Sequence, residues 1–255
     1  MRIFLLYKRK LALVLSLVFL LIVIGIIGTT DRIQSVFQHN DKLIPIYRVY
    51  TPEKKIAISF DAAWGSDKTP AILNLLKKHG VKTTFFLVGF WVEDYPEMAK
   101  RIAEEGHEIG NHSSTHPTMG GLSAEKVLEE LEKAHETIKG TTGFEPCIFR
   151  PPFGDYSNTL IRTSEEYGYK VIQWDVDSLD WKNFSSEAII DRVMSQVTNG
   201  SIVLFHNNGK HTPEAVDVIL SKLISKGYKI VPVSELLIEG EYYIDHTGEQ
   251  KPISN

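Results

Sequence analysis

The sequence contains a single cysteine, Cys147, among its 255 residues. One thiol cannot form an intramolecular disulfide, so a disulfide framework is excluded. Because Cys147 lies in the apolar run before Arg150, we predict a buried structural thiol. Positive charge is also sparse, since the net charge is −4 and no basic run follows the first ten residues. Binding to nucleic acid therefore has no electrostatic support.

Motifs for nucleotide cofactors are missing as well. The chain has no G-x-x-x-x-G-K-[ST] run and no G-x-G-x-x-G run, which argues against a nucleotide-dependent enzyme. The rest of the composition is ordinary for a globular protein, with 43% apolar and 24% charged residues. These values permit a substantial core in one large α/β domain or two small ones.

An apolar run at residues 11–27 follows a basic cluster at 8–10. As a helix this run would span about 25 Å, slightly less than the ~30 Å hydrocarbon core of a bilayer. We predict that residues 1–30 form an uncleaved single-pass membrane anchor, with the rest of the chain outside the cytoplasm. A signal peptide cut near Gly28, which would give a secreted protein, is the alternative.

Strand and helix patterns alternate along the rest of the chain. The predicted catalytic domain spans residues 54–238, after a stalk at 31–53 and before a polar tail at 239–255. Predicted strands lie at 55–60, 83–88, 107–110, 147–150, 170–174, 201–205 and 229–233, and predicted helices at 69–79, 96–105, 123–139, 158–167, 185–197 and 213–226. This alternation indicates a parallel sheet with right-handed crossovers. A barrel is favoured over an open sheet, because the candidate functional residues follow many different strands.

Polar side chains follow several of these strands. His112 and His116 are four residues apart, and on a helical turn this spacing places both rings on one side, where they could bind one cation. Exposed or hydrogen-bonded histidines are the alternative interpretation of the pair. Asp61 is a candidate general base, or else a turn residue. Arg150 would hold that carboxylate ionised, or else form a structural ion pair.

A third histidine, His206, follows four apolar residues and is predicted to lie at the mouth of the sheet. A general acid at this position needs a carboxylate that fixes its tautomer and raises its pKa. Asp177 and Asp180 are both candidates for that partner. Three aromatic side chains are candidate pocket walls, with core packing as the alternative for each: Trp64, Phe153 and Trp181.

The order of these features carries more information than any one of them. Five motifs occur in sequence: S-F-D at 59–61, H-S-S-T-H at 112–116, R-P-P-F-G at 150–154, D-S-L-D-W at 177–181 and L-F-H at 204–206. Over residues 50–235 the chain resembles the polysaccharide deacetylases with a NodB homology domain, which form carbohydrate esterase family four. The membrane segment and the F-D-A-A-W-G run are similar to the sporulation-associated PdaB-like branch.

This resemblance implies a fold and a reaction. The fold implied is a distorted (β/α)7 barrel. The reaction implied is hydrolysis of N-acetyl groups from N-acetylglucosamine or N-acetylmuramic acid residues of peptidoglycan or a related polysaccharide. In that reaction a metal polarises the acetyl carbonyl, and a tetrahedral intermediate collapses as the leaving amine is protonated.

The resemblance also implies roles for individual residues. Asp61 would be the base and His206 the acid, oriented by Arg150 and Asp180 respectively. A divalent metal, commonly zinc and alternatively cobalt, would be bound by the motif histidines His112 and His116. The backbone N–H near Phe153 would help to stabilise the oxyanion, and the pocket residues would be Trp64, Phe153, Trp181 and Leu204.

One motif departs from the family pattern T-F-D-D-G. Ala62 replaces the second aspartate, which is normally the third metal ligand. Catalytic zinc usually has three protein ligands, so two imidazoles should bind a metal more weakly. Three outcomes are open: Asp67 reaches the metal, Asp61 becomes a ligand itself, or the site binds metal poorly and turns over slowly or not at all. We expect an active hydrolase of carbon–nitrogen bonds, because the other motif residues are intact.

Two other functions compete with deacetylation. A non-catalytic glycan-binding or scaffold protein is favoured by Ala62, and an esterase acting on O-acetyl groups could use the same site. A glycosidase would leave His112, His116 and Arg150 unexplained. The expected partners are an N-acetylated glycan and the membrane, without nucleic acid or a nucleotide cofactor.

Overall fold

The structure is a computed structural model that describes residues 42–253. The predicted membrane anchor and residues 31–41 of the predicted stalk lie outside the described residues. No helix within the described range combines the length and the apolar character needed to cross a bilayer. Residues 43–253 belong to one compact unit. The predicted domain boundaries remain predictions.

The fold is built on a curled parallel sheet. In the described part of the chain the strands are β1 (Arg48–Val49), β2 (Lys55–Ala62), β3 (Thr84–Leu87), β4 (Glu108–Asn111), β5 (Ile148–Phe149), β6 (Lys170–Val171), β7 (Val176–Asp177), β8 (Ile202–His206), β9 (Lys229–Val231), β10 (Tyr242–Ile244) and β11 (Glu249–Pro252). The main sheet has the order β6-β5-β4-β3-β2-β8-β7, and β9 pairs with the start of β2. This half-barrel is consistent with the predicted distorted (β/α)7 fold.

Helices cover the outer face of this sheet. They are α1 (Thr69–His79), α2 (Gly89–Asp94), α3 (Pro96–Glu104), α4 (Ala124–Thr142), α5 (Asn158–Glu166), α6 (Ser186–Gln196), α7 (Thr212–Ser225) and α8 (Val233–Leu236). The longest, α4, buries Val127, Leu131, Ala134 and Ile138. These residues recur every three or four positions, as an amphipathic helix on a core requires.

Residues that precede β2 bridge two separate parts of the main sheet. Ile46 forms a parallel bridge with Ile172, just after β6, and Arg48 forms an antiparallel bridge with Ser201, just before β8. β1 also pairs with β11 in a separate three-stranded sheet of order β1-β11-β10. Residues 46–49 and 242–252 therefore pack on the domain.

The core is built from strand residues that are apolar on both faces, as helix-covered parallel strands require. Phe60 stacks on Phe85 with ring centroids 5.0 Å apart, and Phe205 packs on the other side of Phe60 at 5.8 Å. The prediction that Cys147 is buried is wrong, because its side chain is exposed. Cys147 lies between buried Pro146 and buried Ile148, so the alternation at the start of this strand directs it outward.

Candidate active site

A cavity of about 510 Å³ opens at the carboxyl ends of the parallel strands. Eight of the ten residues that we predicted for the site line it: Asp61, Trp64, His112, His116, Phe153, Trp181, Leu204 and His206. The other two, Arg150 and Asp180, are fully buried behind Asp61 and His206. The structure therefore brings all ten together at the end of the sheet where enzymes of this architecture bind substrate.

Asp61 and Arg150 form a buried ion pair. Nη1 of Arg150 lies 2.7 Å from Oδ1 of Asp61 and also donates to Oγ of Ser59 at 2.9 Å. Nη2 donates to the main-chain oxygen of Gln173 at 3.0 Å. The guanidinium group also lies 4.0 Å from the ring centre of Phe86. These contacts fix one oxygen of Asp61, while the other oxygen faces the cavity.

The electrostatic surroundings keep Asp61 ionised. Burial on its own would raise the pKa of this carboxyl group. The charge of Arg150, with smaller contributions from His112 and His206, outweighs burial and lowers the pKa below its ordinary value. A buried carboxylate that stays charged and is hydrogen-bonded on one side can accept a proton on the other.

The segment 112–116, which we call the histidine turn, is not helical. Ser113 and His116 have φ angles of 67° and 58°, in the left-handed region. The helical turn that the four-residue spacing suggested is therefore wrong, although the ring centroids of His112 and His116 are only 5.0 Å apart. A tight turn with two left-handed residues brings the rings as close as a helix would.

His112 is buried, and Nδ1 lies 2.7 Å from the main-chain oxygen of Arg150. Its Nε2 lies 3.5 Å from Oδ2 of Asp61. The ring of His116 lies between two aromatic side chains, with the centroids of Trp64 and Phe153 at 4.7 and 4.6 Å. Burial lowers the pKa of His116 to about 4, and burial also lowers the pKa of His112 below its ordinary value. Both rings are thus neutral near pH 7, the form that binds a metal.

His206 is paired with Asp180 and not with Asp177. Nδ1 of His206 lies 2.7 Å from Oδ1 of Asp180, and Oδ2 accepts from the His206 backbone N–H at 2.8 Å and from Thr212 Oγ1 at 2.6 Å. Burial would lower the pKa of His206, but the hydrogen bond and the charge of Asp180 outweigh it and raise the pKa. Asp177 instead accepts a hydrogen bond from the backbone N–H of Leu179.

The side chains present do not form a three-ligand metal site. Among residues 42–253, no group of three His, Cys, Asp or Glu side chains is placed to bind one ion. Ala62 belongs to the apolar core, and Asp67 is exposed and paired with Lys68. Nδ1 of His116 is buried without a hydrogen-bond partner in the described structure. The donor set is therefore two imidazoles, one ligand short of a usual catalytic zinc site.

Several residues at the site were not identified from the sequence. Asn207 donates to the main-chain oxygen of Gly65 at 2.8 Å, and Trp91 donates to the same oxygen at 2.7 Å. These bonds fix the loop that carries Trp64 against the end of β8. Polar residues directly after His206 were the available signal, since strand ends face the site. Other lining residues that sequence reasoning missed are Trp174, Asn183, Asn208 and Gly209.

Comparison with known proteins identifies the family. The family model for polysaccharide deacetylase matches residues 48–172. The chain is 33% identical to the peptidoglycan-N-acetylmuramic acid deacetylase PdaA of Bacillus subtilis, over 79% of this chain and 78% of that protein. The chain belongs to the polysaccharide deacetylase family. This membership confirms the family resemblance found in the sequence.

Two further relatives are similar to this chain. It is 38% identical to the peptidoglycan-N-acetylglucosamine deacetylase PgdA of Listeria monocytogenes, over 77% of this chain but only 42% of that longer protein. The crystal structure of a family CE4 pseudoenzyme from Bacillus anthracis superposes with a TM-score of 0.74 at 38% identity, over 76% of this chain and 69% of that one. A mutant of that pseudoenzyme has restored enzymatic activity. The assignment to the PdaB-like branch remains a prediction.

Proposed function

We propose that the protein hydrolyses N-acetyl groups on a glycan, with N-acetylglucosamine or N-acetylmuramic acid residues of peptidoglycan as substrate. The observation that carries this proposal is the pairing of Asp61 and His206 across neighbouring strands. The register of β2 and β8 places these residues side by side. Their pKa values are shifted in opposite directions, which suits one to accept a proton and the other to donate one.

Water and these side chains account for every proton transferred and every bond formed or broken in the reaction. Asp61 removes a proton from a water molecule while the water oxygen attacks the acetyl carbon. Arg150 keeps the Asp61 carboxylate ionised until this proton transfer. His206, protonated because Asp180 raises its pKa, donates a proton to the amide nitrogen as the C–N bond breaks. The products are acetate and a free amine on the sugar. The oxyanion role of the backbone near Phe153 is part of this proposal.

Members of the family generally depend on a metal. We propose that zinc, or cobalt in its place, binds weakly at His112 and His116, because two neutral imidazoles provide fewer ligands than a catalytic site usually has. We further propose that residues 1–30 anchor the protein and that the site faces the cell wall. The support for this is the apolar run with its basic flank and the peptidoglycan deacetylases among the relatives.

The test is acetate release by the full chain in mild detergent. The substrates are N-acetylglucosamine oligomers and peptidoglycan, assayed after chelation and after adding back zinc, cobalt or no metal. Metal-restored release that is lost in His112→Ala supports the proposal. Release from O-acetylated but not N-acetylated sugars would identify an esterase instead. Release that persists unchanged after chelation would contradict the proposed metal dependence.

A second function is supported by one observation, the alanine at position 62. This alanine removes a carboxylate that would bind the metal, and a relative from Bacillus anthracis is described as a pseudoenzyme. The exposed rings of Trp64, Phe153 and Trp181 at the cavity would then bind a glycan without turnover. Saturable binding of chitin oligomers with no acetate release under any metal would support this function.

A further inference from the structure

The histidine turn is hydrogen-bonded on one side by the start of α2. The backbone N–H of Gly89 donates to the oxygen of Ser113 at 2.9 Å, and that of Phe90 donates to the oxygen of Ser114 at 3.1 Å. A Cβ on Gly89 would lie 3.1 Å from the Ser114 backbone, so this close approach favours glycine. These bonds satisfy two carbonyl groups of the turn.

The opposite side of the turn is bound by Glu130, from the middle of α4. Oε2 of Glu130 accepts the backbone N–H of Ser114 at 2.9 Å and that of Thr115 at 2.8 Å. Oε1 accepts the hydroxyl of Thr115 at 2.7 Å. Within residues 42–253, all three hydrogen bonds that this carboxylate accepts come from the histidine turn.

The turn needs such support because its backbone is strained. Ser113 and His116 both have positive φ, a conformation that side chains other than glycine adopt at a cost in free energy. One further bond is internal, from the His116 N–H to Ser113 Oγ at 3.0 Å, and another runs from the Ser113 N–H to Oδ1 of Asn111, directly before the turn, at 2.8 Å. Hydrogen bonds to a charged acceptor are stronger than these neutral ones.

We propose that Glu130 is a positioning residue that holds the histidine turn, and with it the ring of His116, in place for the chemistry of the site. The carboxylate lies 14 residues along the chain from His116, on a helix that is anchored in the core by its own apolar face. It therefore ties the two motif histidines to a rigid element and not to a loop. The role of Glu130 in holding the turn does not depend on the proposed function. Only its expected effect on catalysis rests on that function.

The experiment measures amide hydrogen exchange at Ser114 and Thr115 in the full chain, resolved by mass spectrometry with fragmentation. In Glu130→Gln we expect exchange at both amides to rise by about tenfold or more, because the charged acceptor is lost. Exchange within α4 should be unchanged. Glu129→Gln is the matched control, since Glu129 is exposed and bonded to Lys126.

A second variant, Thr115→Val, removes only the hydroxyl bond and should give a smaller rise than Glu130→Gln. Equal exchange in Glu130→Gln and Glu129→Gln would overturn the proposal. A rise that extends through α4 would also overturn it, because Glu130 would then stabilise the helix and not the turn.

Kinetic measurements on the same variants separate this inference from the proposed function. Glu130→Gln should lower kcat for acetate release with little change in KM, whereas Glu129→Gln should change neither. If the wild-type chain releases no acetate but the exchange result holds, the proposed function fails and the role of Glu130 stands.

Discussion

Nδ1 of His112 donates a hydrogen bond to the main-chain oxygen of Arg150 across 2.7 Å. A carbonyl oxygen can only accept, so the proton of the neutral ring must be on Nδ1. Burial lowers the pKa of His112, which keeps the ring neutral and leaves a lone pair on Nε2. That lone pair lies 3.5 Å from Oδ2 of Asp61. The residue that binds the proposed base thus also fixes the tautomer of a proposed metal ligand.

Replacing Arg150 should destabilise the protein. Arg150→Met leaves the Asp61 carboxylate buried without its partner, and breaking a buried pair in this way costs about 3–5 kcal/mol. The measurement is the free energy of unfolding in urea. The double variant Arg150→Met/Asp61→Asn, which removes the uncompensated charge, should recover much of the loss. A single variant as stable as the wild type would show that the pair has no net electrostatic effect.

The pH dependence of activity should follow His206. Asp180 raises the pKa of this ring, so the proton needed for catalysis is present at low pH and is lost as the pH rises through the raised pKa. In Asp180→Asn the pKa should fall, which moves the alkaline limb of the rate profile to lower pH. Asp191→Asn, at an exposed position on α6, is the control. An unshifted limb in Asp180→Asn would rule out His206 as the acid.

Restoring the missing carboxylate at position 62 should make the thermal stability of the protein depend on bound metal. Ala62 is fully buried in the apolar core, so Ala62→Asp should lower Tm in the absence of metal. Zinc should then raise the Tm of this variant more than that of the wild type, because a ligand that binds only the folded state stabilises it. Ala62→Asn has a similar volume but no charge and should respond less. Equal zinc responses in all three would mean that position 62 does not contact the metal.

The exposed aromatic residues at the cavity should contribute to glycan affinity. Trp181 is 54% exposed and lines the cavity, whereas Phe184 is 43% exposed and does not. Trp181→Ala should weaken binding of chitin oligomers about two- to tenfold, an effect of ~0.5–1.5 kcal/mol that is typical of one aromatic contact. Calorimetric titration would measure it. An equal loss in Phe184→Ala would place the glycan outside the cavity.

The sequence predicted the residues of the site better than their geometry. Asp61, Arg150 and His206 each lie at or directly after the end of a strand, and parallel strands carry such residues to one face, so their convergence was predictable. The conformation of the histidine turn was not predictable, because the four-residue spacing of the two histidines does not indicate that two residues have left-handed backbone angles. The residue types alone left the partner of His206 open between Asp177 and Asp180, and the family resemblance implied Asp180, which the structure shows at the imidazole.

Part of the fold was equally hard to predict. β7 and β1 are only two residues long, which is too short for any alternation of apolar and polar residues to be visible. β11 is polar and pairs with β1, whose residues lie about 200 positions earlier, a contact that local pattern does not encode. Glu130 could not be identified from the sequence, because its position does not differ from that of any other charged residue on the outer face of a predicted helix.

The central claim is that Asp61 acts as the base in amide hydrolysis. Its most direct test is the initial rate of acetate release from N-acetylglucosamine oligomers with zinc supplied, compared between wild type and Asp61→Asn. If Asp61 is the base, we expect a measurable wild-type rate and a loss of at least about 100-fold in the variant, the usual contribution of a general base, with glycan affinity retained. Equal rates in the two proteins, or no release by the wild type, would contradict it.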